Sequence, residues 1–221
     1  MSAPALLCAS GLCLRFGDRT VLDGCSLSLS AGEAWVLTGD NGAGKTTLLR
    51  VLAGLQRPDA GTLAFDGRSV AAGRFPPAVR QALQFVPAQP LLFSTSVHEN
   101  IDYGLRARGL ARDERLRRTR AAIDWARLQA VVGTHPRRLS AGETQRTAIA
   151  RAWVLEPQVI LFDEPTANLD RESHGQVLEL VGRLADAGAA VLVAAHDRAL
   201  VDLAGTRRLH LSGGRLDTLV A

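Results

Sequence analysis

Lysine is almost missing from this chain. Of 26 basic side chains in 221 residues, Lys45 is the single lysine and the rest are arginines. Cysteine is scarce as well: Cys8, Cys13 and Cys25 are an odd set confined to the first segment. That excludes a small disulfide scaffold and fits reduced thiols in a cytosolic protein. A strong excess of one charge is lacking, since the formal net charge is +4. With 47% apolar residues, disorder is excluded. So weak a basic balance gives no ground for a nucleic-acid partner, and none is expected. Long apolar runs are absent too. Ala189 to Ala195 falls far short of the ~18 residues of a membrane-spanning helix. Leu6-Leu7-Cys8 has the look of a lipoprotein processing site, but no Lys or Arg precedes it and the apolar stretch is short. A first β-strand is the expected reading.

What is present is an α/β pattern in one compact domain. Ala5 to Cys8, Cys13 to Phe16 and Cys25 to Leu29 read as short strands, separated by the turns Gly17-Asp18 and Asp23-Gly24. Trp35 to Thr38 is a strand that runs through a Gly-rich segment into a helix from Lys45 to about Ala53. Leu63 to Phe65 is another strand. From about Val97 to Val131 the chain turns helical and rich in arginine, from Arg106 to Arg120. Those arginines either face anionic headgroups or form a solvated face partly paired with Asp113 and Glu114. Val159 to Phe162 and Ala190 to Ala195 are continuous apolar runs, as expected of parallel strands buried on both faces. A helix from about Glu172 to Ala185 lies between them, and two short strands flank Gly213-Gly214.

Gly39-Asp40-Asn41-Gly42-Ala43-Gly44-Lys45-Thr46-Thr47 fits the phosphate-loop pattern and sits between a strand and a helix, as it must. Glycines let backbone N–H groups turn toward phosphate oxygens. The helix start adds positive partial charge. Lys45 supplies a mobile cation and Thr46 a hydroxyl for Mg²⁺. This is chemistry for a phosphate-bearing nucleotide of undetermined base.

Asp163 and Glu164 follow the buried run Val159 to Phe162, at the strand end where open α/β sheets bind ligands. Asp163 fits the acid that holds Mg²⁺. Glu164 is placed to take a proton from an attacking water. In Leu139-Ser140-Ala141-Gly142-Glu143, Ser140 reads as a helix N-cap closed by Glu143 three residues on. A capped start with a glycine in its first turn is an anion site, although spacing does not say which anion it meets.

The phosphate loop, LSAGE-TQR, VILFDEP, ANLD and the later His196 together resemble the nucleotide-binding domain of ATP-binding cassette (ABC) proteins, over essentially the whole chain. The resemblance implies a P-loop core with an N-terminal antiparallel β subdomain and an inserted α-helical subdomain. Its parts are a core of residues 1–94 and 145–221 and a helical part of residues 95–144. It implies ATP and Mg²⁺, and two copies paired head to tail. Each ATP then lies between one phosphate loop and the partner's Ser140, Ala141, Gly142 and Glu143. Asp170 matches the loop that crosses the interface, and His196 the residue at the γ-phosphate. Phe16 takes the place of an adenine-stacking aromatic, commonly Tyr, with Val21 beside it. Segment 92–105 matches the region that grips membrane permeases.

Two residues depart from the family pattern. Ala141 replaces a common glycine. In Phe85-Val86-Pro87-Ala88-Gln89-Pro90, Ala88 occupies the place of a glutamine that contacts Mg²⁺ and the attacking water. Either Gln89 substitutes after a small loop shift, or the contact is missing. The resemblance implies an ATPase subunit on the cytoplasmic face of a membrane, working with a separate permease and a solute-binding protein. Finer similarity points to import of an inorganic oxyanion such as tungstate. A non-transport ABC ATPase, an exporter or regulatory subunit, and a P-loop kinase are the competing readings.

Overall fold

The computed structural model describes residues 5–71, 73–195 and 206–219. Strands β1 (Ala5–Phe16) and β2 (Arg19–Ser30) form a long hairpin across Gly17-Asp18, with Phe16 opposite Arg19. The two strands expected at 5–8 and 13–16 are one strand, whose register shifts between Ala9 and Leu12, around Gly11 at φ 59°. An extra residue there bends the ladder without ending it. β1 also pairs with β4 (Ala60–Phe65), and β4 with β5 (Arg68–Val70), giving an antiparallel sheet in the order β2-β1-β4-β5.

The second sheet is mostly parallel. It contains β3 (Ala34–Thr38), β6 (Leu83–Val86), β7 (Val159–Asp163), β8 (Ala190–Ala194), β9 (Thr206–Ser212) and β10 (Arg215–Leu219), in the order β10-β9-β3-β8-β7-β6. Only β10 runs antiparallel to its neighbour. Helix α1 (Lys45–Leu52) follows β3, and α2 (Pro77–Ala82) leads into β6. Three helices separate β6 from β7: α3 (Val97–Ala107), α4 (Arg112–Trp125) and α5 (Ala141–Trp153). α6 (Arg171–Asp186) links β7 to β8.

The apolar strand runs are explained by two cores. Val159 and Leu161 of β7 face the core shared with α1 and the antiparallel sheet. Ile160 and Phe162 face the core built by α3 to α6. Side chains alternate across a strand, so burial on both faces demands an unbroken apolar run. In the second core Trp125 stacks flat on Trp153, with centroids 4.6 Å apart.

Three of the seven arginines in this stretch, Arg108, Arg115 and Arg118, tie helices to neighbouring segments, while Arg106, Arg112, Arg117 and Arg120 are exposed. Arg115 donates to both oxygens of buried Asp102, at 2.8 and 2.6 Å, and these bonds hold the Asp102 carboxyl below its usual range. Arg108 donates to the carbonyls of Leu155 (2.8 Å) and Gln81 (2.7 Å). Glu114 pairs with Arg117 and Arg118, and Arg118 also reaches Glu156. The forked guanidinium suits such multi-point contacts better than an ammonium does.

Candidate active site

The chain leaves β3 and turns sharply at Gly39, with φ 142°. A Cβ there would lie 2.3 Å from the Leu211 carbonyl oxygen of β9. A side chain at this position would push the loop off the sheet. The loop closes on itself through Ala43 N–H, which donates to the Asp40 carbonyl (3.1 Å), and enters α1 at Gly44. The first N–H groups of α1 have no partner within the helix and form an anion-binding end.

Lys45 is buried in this turn. Its Nζ donates to the carbonyls of Gly39 (2.8 Å) and Asp40 (3.1 Å). Burial pushes the ammonium pKa down, against the charges of Glu164, Asp163 and Asp40. One residue on, Thr46 Oγ1 donates to Asp163 Oδ1 at 3.0 Å. Burial pushes the Asp163 carboxyl up; the Thr46 hydroxyl opposes the shift and the neighbouring Glu164 charge adds to it. A hydroxyl and a carboxylate held together are hard oxygen donors of the kind Mg²⁺ takes, with phosphate and water completing its shell. Among the described residues no three His, Cys, Asp or Glu gather as a separate metal cluster.

Glu164 sits where β7 ends. Its N–H donates to the Ala194 carbonyl at 2.8 Å, and its φ is 45°. A non-glycine residue in that region costs ~1–3 kcal/mol. The ladder to β8 holds the backbone in place, and the residue lines a cavity of about 310 Å³ beside Lys45, Thr46 and Thr47. Phe16, Arg19, Val21, Asn41, Gly42 and Gly44 complete the wall. Phe16 is 53% exposed, so its ring is available at the rim. The cavity can receive a polyphosphate, hold a divalent cation on oxygen ligands and set a carboxylate beside them.

The remaining predicted residues lie elsewhere. Ser140 caps α5: Glu143 N–H donates to Ser140 Oγ (3.2 Å) and Ser140 N–H donates to Glu143 Oε2 (2.7 Å). Gly142 is buried at a close approach to α6, where a Cβ would lie 2.5 Å from Ser173 Cβ. Asp170 caps α6 by accepting from Ser173 N–H (2.9 Å), and hydrogen bonds from Ser173 draw its carboxyl pKa down. Ser140, Ala141 and Asp170 are exposed. None of Ser140, Ala141, Gly142, Glu143 and Asp170 lines the phosphate-loop cavity of its own chain. Gln89 is exposed and also stands outside that lining. His196 lies outside the described residues. Sequence reasoning missed Arg19, whose Nη2 donates to the Gly42 carbonyl at 2.7 Å. It also missed Ser173, the reason Gly142 must be small.

Comparison with known proteins agrees with this geometry. The family model described as ABC transporter matches residues 22–167. The probable anion import ATP-binding protein of Haloferax volcanii is 39% identical, over 94% of this chain and 77% of that one. The cell division ATP-binding protein FtsE of Escherichia coli is 37% identical, over 90% and 91%. A solved ATP-binding cassette, dimeric in a post-hydrolysis state with ADP and Pi, superposes with a TM-score of 0.85 at 25% identity, covering 98% of this chain and all of that one. With its phosphate loop, its Thr46–Asp163 pair and this likeness, the chain belongs to the ABC transporter family and is an ATPase domain of it, acting on ATP with Mg²⁺.

Proposed function

We propose that the chain is the ATP-hydrolysing subunit of an importer and that its site residues act as follows. The observation carrying the reading is a single cavity that joins Lys45, Thr46 with Asp163, and Glu164. Lys45 and the loop N–H groups of 39–47 bind the phosphates. Thr46 and Asp163 hold Mg²⁺, which neutralises charge on the phosphate oxygens when bound. Glu164 accepts the proton of the attacking water. Phe16 and Val21 bind the base. His196 meets the γ-phosphate.

Two copies pair head to tail. Exposed Ser140 at a capped helix start presents N–H groups and positive partial charge, and it stands outside the phosphate-loop cavity of its own chain. The partner's ATP is the anion that fits. Asp170, at the neighbouring start of α6, crosses the same interface. Residues 95–144 serve as the helical unit and 1–94 with 145–221 as the core, with α5 running from one into the other.

Segment 92–105 supplies the permease contact. Phe93 and Tyr103 lie 4.5 Å apart by centroid in a groove with Leu91, which is 87% exposed. An apolar groove open to solvent suits a partner helix. Among the described residues no helix is long and apolar enough to cross a membrane. In the proposed assembly the partner carries the translocation path and this chain works at the cytoplasmic membrane face, as its family likeness suggests. The anion-import relative supports an anionic cargo, of which a tungstate-like oxyanion is the finer reading.

Gln89 supplies the glutamine contact after the loop Pro87 to Pro90 shifts. Gln89→Ala should then lower ATPase activity several-fold in a phosphate-release assay, and unchanged activity would show that the contact is absent. The cargo is tested by reconstituting the chain with its permease. Oxyanion-loaded binding protein should stimulate ATP hydrolysis, and stimulation by a non-anionic solute instead would reject the anion reading.

A further inference from the structure

The cavity wall holds a second cation that the roles above leave unused. Arg19 opens β2 directly opposite Phe16, and its Nη2 donates to the Gly42 carbonyl at 2.7 Å. That bond ties the β1–β2 hairpin to the phosphate loop across 23 residues of sequence. Taking the cavity as the nucleotide site, we propose that Arg19 contacts the bound nucleotide at the phosphate nearest the base.

Three observations carry this. The first is position. Phe16, Arg19 and Gly42 line the cavity together, and the strand pairing sets Arg19 directly beside Phe16, the proposed seat of the base. The terminal phosphate and Mg²⁺ fall, in the roles proposed above, to Lys45, Glu164 and the Thr46–Asp163 pair. The second is capacity. A guanidinium has five N–H donors in a rigid fork, and the Gly42 carbonyl takes one. Among the described residues Arg19 has no carboxylate partner, and its side chain lines the cavity. The third is charge balance. The wall presents Glu164, with Asp163 behind Thr46, and Lys45 already donates to two loop carbonyls. A polyphosphate entering there meets acid at one end, and a second cation at the other offsets it. Guanidinium–phosphate pairs are strong charge-assisted contacts, and the bond to Gly42 holds the fork in place before the ligand arrives.

The nearest phosphate to the base is common to ATP and ADP. Arg19→Ala in the full chain should therefore weaken both nucleotides by the same factor, about tenfold for one charge-assisted contact, read by titration calorimetry with Mg²⁺. Arg19→Gln offers a neutral N–H donor in place of the charge and should bind as weakly as Arg19→Ala. Arg19→Lys should recover part of the affinity. Arg19 is exposed, so the variants should fold, which a thermal melt checks. Full affinity in Arg19→Ala overturns the proposal. So does full rescue by Gln, which would make Arg19 a brace for the loop, and so does a loss confined to ATP. If Lys45→Ala also bound nucleotide normally, the fault would lie with the reading of the cavity itself.

Discussion

Glu164→Gln should bind ATP about as well as the native chain and lose nearly all turnover. The amide has the size and the acceptor oxygen of the carboxylate but cannot take a proton. General-base catalysis contributes about 10² to 10⁴ in rate, so phosphate release should fall by at least the lower factor. The backbone should tolerate the change, because the bond from Glu164 N–H to the Ala194 carbonyl, which holds the residue at φ 45°, is kept. Removing a negative charge from the cavity wall also relieves its repulsion of the terminal phosphate. With ATP uncut, the pair of subunits that clamps it should persist. Size-exclusion chromatography with ATP should show a dimer in the variant and monomer or rapid exchange in the native chain. Hydrolysis at the native rate would remove Glu164 from the role of base.

Lys45→Ala should weaken nucleotide binding itself. The ammonium is buried and fixed by two carbonyls, of Gly39 and Asp40, on the side of the cavity that faces Glu164. Its loss removes a charge-assisted contact and leaves those carbonyls without their donor. Hydrogen bonds to charged groups contribute about 1.5–3 kcal/mol each, so ATP affinity should drop by at least about tenfold. Lys45→Arg is the sharper variant. It retains the charge, but a planar fork on a stiffer stem cannot sit inside the turn. Little or no rescue is expected in a fluorescent-nucleotide titration. Full rescue would mean that the single lysine in the chain has no special place there.

Some of this site is written locally and could be read from the chain. The glycines and Lys45 lie within one strand-to-helix turn, so their spacing carries their geometry. The Ser140–Glu143 cap closes over three residues, and both of its hydrogen bonds form. The apolar run Val159 to Phe162 announced its own burial on two faces. Other features depend on contacts between distant segments. Arg19 is one arginine among 25, and nothing in its neighbourhood marks it until β2 is laid beside the loop. Ser173 explains Gly142 only once α5 and α6 meet. The arginines of α4 offered two readings from charge pattern alone. Asp102, thirteen residues from Arg115, and Glu156, outside the helical stretch, decide where Arg115 and Arg118 point. Phe16 and Val21 share a cavity with Gly44, but the base-binding role proposed for them rests on family likeness and not on spacing.

In the proposed head-to-tail pair, the exposed start of α5 in one subunit completes the Lys45 site of the other. A mixing experiment tests it. Ser140→Asp keeps the cap, because Asp serves as well as Ser at that position, yet it sets a carboxylate against the partner's phosphates. Lys45→Ala disables the loop and leaves the α5 start intact. Each variant alone should be nearly inactive. Mixed, they form a heterodimer with one site built from two intact halves, and phosphate release should rise well above the sum of the separate samples. A mixture no more active than that sum would show that each chain completes its own site, and the head-to-tail arrangement would be wrong.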